Sequence, residues 1–74
     1  MIGEVEFLHK IGVAIRELRL IKGLTQLQLS IDAGIPLSQI GAIERGVGNP
    51  TIKTLKKIAD CLECEVFQLF IFNK

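Results

Sequence analysis

Cys61 and Cys64 stand three residues apart, the spacing of a thiol redox pair or of half a metal site. The rest of the chain argues against both. A four-ligand zinc site needs two more donors, and the only histidine, His9, lies at the other end of the sequence. A redox pair normally opens a helix, where the dipole depresses a thiol pKa, whereas Cys61 and Cys64 fall where a helix ends. They read instead as small apolar groups filling a core. His9 reads as a surface residue, with no serine, cysteine and carboxylate arranged around it as catalysis would need. No phosphate-cradling glycine loop is present. No catalytic residue, metal or cofactor is expected, and the chain does not read as an enzyme.

Net charge is only +1, which by itself does not point to nucleic acid. Its distribution is uneven. From Lys10 to Lys57 eight bases (Lys10, Arg16, Arg19, Lys22, Arg45, Lys53, Lys56 and Lys57) face three acids (Glu17, Asp32 and Glu44), a local charge of +5. The two ends carry −4. A local basic surface is what phosphate attraction requires, although ordinary solvated helix charges produce the same pattern.

The elements that position these residues must come from 74 residues, one domain with a thin core. A hydrophobic content of 49% excludes a disordered chain. No apolar run approaches the roughly 18–20 residues of a membrane span, and "MIGEVEFLHK" begins with acids instead of the basic region of a secretory signal. A cytoplasmic protein is expected. Glycines 23, 34 and 46 and prolines 36 and 50 divide the chain into short helical pieces. The first runs from Glu4 or Glu6 to Lys22, with Leu8, Ile11, Ile15 and Leu18 as its apolar stripe. In the second, Leu27, Leu29 and Ile31 alternate as in a strand, but Thr25 and Gln28 form a capping box and Leu24 and Leu29 a hydrophobic staple. These signals predict a helix over 26–33 that leaves Leu27 and Ile31 exposed. Pro36 starts a third helix over 37–45, with Ile40 and Ile43 inward. Thr51 caps a fourth over 52–62, with Ile52, Leu55, Ile58, Ala59 and Leu62 inward. "EVFQLFIF" fits a helical turn, a strand, or one after the other; a short helix over 66–70 is expected. The fold class is all-α, a compact bundle of about five short helices.

The second and third pieces, joined by Gly34, Ile35 and Pro36, form a helix–turn–helix candidate. "RELR" closes the first helix and "KGLTQ" opens the second. "AG" marks the turn, "IERG" ends the third helix, and "NPT" with Leu55 opens the fourth. In this order, over Arg16 to Leu62, the motifs resemble the lambda-repressor-like, or XRE, family of DNA-binding domains. The resemblance covers nearly two-thirds of the chain.

That resemblance implies duplex DNA as partner, with the third helix in the major groove. Leu37, Ser38, Gln39 and Ala42 would face bases. Gln26, Arg45, Asn49, Thr51 and Lys53 would hold phosphates, and Arg19 would pair with Glu44. The alternative for that pair is two independent surface charges. Leu37 and Ala42 offer only apolar contact, for example to thymine methyls; Ser38 and Gln39 alone can hydrogen-bond bases. Two features depart from the family. Pro36 replaces the usual cap of the third helix, and Gly41 costs helix propensity, either to permit a close approach or as a loss without purpose.

The C-terminal segment 65–74 holds three of the four phenylalanines. Phe67, Phe70, Ile71 and Phe72 are candidates for a homodimer interface; the alternative is a tail that folds back to finish the core. Leu20, Leu27 and Ile31 would extend such an interface or form a second one. A two-fold dimer would set two recognition helices about 34 Å apart, on a palindromic operator. The expectation is one helix–turn–helix domain over 1–74, without a small-molecule effector domain, acting as a transcription regulator. The alternative is a protein-interaction module or antitoxin-like component that keeps the shape without reading DNA.

Overall fold

The computed structural model describes residues 2–72. Four α-helices follow in order: α1 (Glu4–Ile21), α2 (Gln26–Ala33), α3 (Leu37–Glu44) and α4 (Ile52–Cys61). A 3-10 helix, Val66–Phe70, comes last. The expected fifth helix is therefore a short 3-10 helix, its bonds spanning three residues, as from Gln68 to Glu65 and from Ile71 to Gln68. Arg45 and Leu62 serve as C-caps, one residue beyond the ends of α3 and α4. Among the described residues there is no strand, and no helix is long and apolar enough to cross a membrane.

Each element gives one large, fully buried side chain to a common core: Ile15, Leu29, Ile40, Ile58 and Leu69. Ile11, Ile35, Ile43, Leu55, Ala59 and Leu62 pack around them. Cys61 and Cys64 are half-buried and free, packed against this cluster as apolar groups. Ile52 departs from expectation. It occupies the first position of α4 and is 67% exposed; the stripe from Leu55 to Leu62 alone meets the core.

All four helices end alike. Gly23, Gly34 and Gly46 adopt positive φ, and the residue after each donates its N–H to a carbonyl five residues back, Leu24 to Arg19, Ile35 to Ser30 and Val47 to Ala42. These are Schellman closures. Cys64 donates to Ala59 in the same way, but the left-handed residue there is Glu63, at φ 56°.

Candidate nucleic-acid interface

The capping box that decided α2 is present: Thr25 Oγ1 accepts from the Gln28 amide at 3.0 Å and Gln28 Oε1 accepts from the Thr25 amide at 3.0 Å. A second lock holds the turn into α3. Ser30 Oγ donates to the Ile35 carbonyl at 2.6 Å, and the Ile35 amide donates back to the Ser30 carbonyl at 3.0 Å. Ile35 is buried beneath this pair. Pro36 is the N-cap of α3 and provides no side-chain cap; its carbonyl accepts from the Gln39 and Ile40 amides.

Behind α3 sits a buried polar cluster. Arg19 and Glu44 are each 7% exposed and joined by two hydrogen bonds, at 2.7 and 2.9 Å. Arg19 Nη1 also donates to the Leu24 carbonyl at 2.8 Å. Gln26 Nε2 donates to Glu44 Oε1 at 3.1 Å. Glu44 therefore fastens α3 to both α1 and the start of α2. The hydrogen bond to Glu44 raises the Arg19 pKa above its ordinary value, against the opposing effect of burial. Gly12 sets the spacing of the same helices: α1 lies so close to the last turn of α3 that a Cβ on residue 12 would overlap the carbonyl oxygens of Ile43 and Glu44. Gly46 likewise abuts the backbone of His9, whose side chain is exposed.

The opposite face of α3 is open. Leu37, Ser38 and Gln39 are exposed and Ala42 is half-buried. Arg45, Asn49, Thr51 and Lys53 are also exposed, and Gln26 is half-buried at the start of α2. Thr51 Oγ1 accepts from the Thr54 amide at 3.1 Å as the cap of α4. Thr25 and Thr51 cap the Gln28 and Thr54 amides, and the starts of α2 and α4 carry the partial positive charge of any helix N-terminus.

This is a helix with one open, cation-flanked face, held from behind on a helix–turn–helix frame. A family model for the helix-turn-helix, HTH_3, matches residues 15–69. The chain belongs to this XRE-type helix–turn–helix family. It is 43% identical over 61 residues to the HTH-type transcriptional regulator SlrR of Bacillus subtilis, a stretch covering 81% of this chain and 40% of SlrR. The chain thus spans well under half of that relative. Among solved structures, the restriction-modification controller protein C.AhdI from Aeromonas hydrophila superposes with a TM-score of 0.83 at 40% identity, covering 85% of this chain and 96% of that one. SinR, the master regulator for biofilm formation, solved in complex with DNA, gives 0.78 at 34% identity, covering 82% and 98%. The relatives named are a transcriptional regulator, a restriction-modification controller and a master regulator of biofilm formation.

Ser30 and Gly12 escaped the sequence reading. Serine in mid-helix carries no distinctive local signal, and the role of Gly12 lies wholly in a neighbour far along the chain. The bond from Gln26 to Glu44 was equally hidden. The C-terminal candidates divide. Phe67 and Ile71 are 62% and 61% exposed. Phe70 and Phe72 turn back and pack on Phe7, with ring centroids 6.0 and 5.8 Å away. Residues 73 and 74 of the expected interface segment lie outside the described residues.

Proposed function

We propose that the protein binds a palindromic operator as a homodimer, with α3 of each subunit in the major groove. Supporting this above all is the contrast between the two faces of α3. One is fixed by the Arg19–Glu44 pair, and the other presents Ser38, Gln39, Leu37 and Ala42 to solvent beside Arg45. Ser38 and Gln39 read base edges, Leu37 and Ala42 make apolar contacts, and Gln26, Arg45, Asn49, Thr51 and Lys53 hold phosphates. That a relative 34% identical to this chain is solved in complex with DNA supports the DNA-binding reading.

The dimer forms through the C-terminal segment. Phe67 and Ile71 supply its exposed apolar surface, with Phe70 and Phe72 behind them on Phe7. Leu20, Leu27 and Ile31, between 53% and 68% exposed, extend it or serve a second contact. Titration of random duplex at several salt concentrations tests the DNA reading: affinity falls steeply as salt rises. Absence of binding at low salt would overturn it in favour of a protein-interaction role. Light scattering on dilution tests the dimer, and a monomer at micromolar concentration would end that part.

A further inference from the structure

Gly41 lies in the middle of α3, where glycine weakens a helix relative to alanine. It is nevertheless buried, because Arg45 folds back one turn across it. A Cβ at position 41 would stand 3.0 Å from Arg45 Nη1 and 4.0 Å from Gln26 Oε1. Two groups from different helices therefore converge over this one residue. The Gln26 atom there is its carboxamide oxygen, an acceptor, while its nitrogen donates to Glu44. Among the described residues no carboxylate lies within ion-pair distance of Arg45.

We infer that Gly41 is a positioning residue for DNA-backbone contact: its missing side chain lets the Arg45 guanidinium lie back over α3, where it faces a phosphate. This rests on the DNA-binding reading above. The contact at 3.0 Å is with the far end of a flexible side chain, so a methyl group there displaces Arg45 and leaves the fold intact. Stability and binding should consequently move in opposite directions.

The test compares wild type, Gly41→Ala, Arg45→Ala and the double variant, by melting temperature and by random-duplex titration at several salt concentrations. Gly41→Ala should melt about 4–8 °C higher, from the gain in helix propensity. It should bind roughly three- to tenfold more weakly at low salt, with a salt slope shallower by about one. In the Arg45→Ala background it should cost nothing further. Unchanged affinity and slope in Gly41→Ala would overturn the assignment. So would an equal loss in the Arg45→Ala background, which would mean that the methyl group obstructs the duplex directly. A fall in both melting temperature and affinity would mark a packing glycine instead. If wild type itself fails to bind, the DNA reading falls and takes this assignment with it, a result distinct from the other three.

Discussion

Arg19 and Glu44 meet fork to fork, Nε to Oε2 at 2.7 Å and Nη2 to Oε1 at 2.9 Å, across 25 residues of chain. A buried ion pair is poor evidence of net stability, since desolvation offsets much of the attraction. This one is well satisfied: the Leu24 carbonyl and the Gln26 amide occupy further sites on its two members, and among the described residues no buried side-chain polar atom lacks a partner. Its main effect is geometric, holding the inner face of α3 to α1 and α2 while the outer face stays free.

Breaking that pair should therefore cost far more than replacing it. Glu44→Ala leaves a buried guanidinium without its counter-charge and should destabilise by about 3–5 kcal/mol in urea unfolding. Replacing both members, Arg19→Met with Glu44→Leu, should cost much less. Because the folded-state pKa of Arg19 is raised, its contribution is fully present below the ordinary arginine value and is lost only above it. The pair's contribution should thus persist from neutral pH up to that value. A double variant as unstable as Glu44→Ala would contradict this account.

Gly12 governs how closely α1 approaches α3. A Cβ there would stand 2.6 Å from the Glu44 carbonyl oxygen, and backbone cannot yield as a side-chain tip can. Gly12→Ala should force the helices apart and cost about 1–3 kcal/mol or more. Gly3→Ala, where a Cβ meets nothing within 4 Å, serves as the control and should cost only the loss of a glycine N-cap, up to about 1 kcal/mol.

Glu63 ends α4 in the left-handed region, where a side chain is strained by roughly 1–2 kcal/mol. Its pairing with Lys22 is largely exposed and returns little of that. Glu63→Gly should stabilise the protein by about 0.5–1 kcal/mol, the greater flexibility of glycine in the unfolded chain taking the remainder. Thermal unfolding at several salt concentrations checks both terms.

The elements were legible because their signals are local. Thr25 and Gln28 satisfy each other's backbone three residues apart, and Gly23, Gly34 and Gly46 stop helices where they stand. Ile52 was misplaced because periodicity gives a face but not where along the helix the core begins. The site was legible only in part, and for the same reason. Exposure of Ser38 and Gln39 follows from α3 itself, whereas the bond from Gln26 to Glu44 and the clearance at Gly12 exist only once distant helices meet. The C-terminal phenylalanines show the limit most plainly. Their composition indicates surplus apolar surface, but only the position of Phe7 decides that Phe70 and Phe72 fold back while Phe67 and Ile71 face out.

Burial pushes the Cys61 and Cys64 thiols above their ordinary value of 9.0, with Asp32 and Asp60 adding to the effect at Cys61 and Glu65 at Cys64. A raised thiol pKa favours the protonated folded state. The associated stability is present below the unfolded value and is lost as pH rises through the folded one. Stability should therefore begin to fall as pH passes about 9, and less so in a Cys61→Ala, Cys64→Ala double variant. Both thiols should react with iodoacetamide more slowly in the folded protein than after unfolding. Faster reaction when folded would restore the redox reading.

Base and phosphate contacts predict different losses on the DNA side. Gln39 is exposed on α3, and its amide can pair bidentately with adenine. Gln39→Ala should relax preference at one operator position by about 1–3 kcal/mol, leaving the salt slope unchanged. Lys53 follows the α4 cap and offers a charge without geometry. Lys53→Ala should weaken all sequences alike and reduce the slope by about one. Selection from a random duplex library supplies the operator for these measurements. If Gln39→Ala weakened every duplex equally, Gln39 would be a backbone contact, and base readout by α3 would rest on Ser38 and on apolar contacts alone.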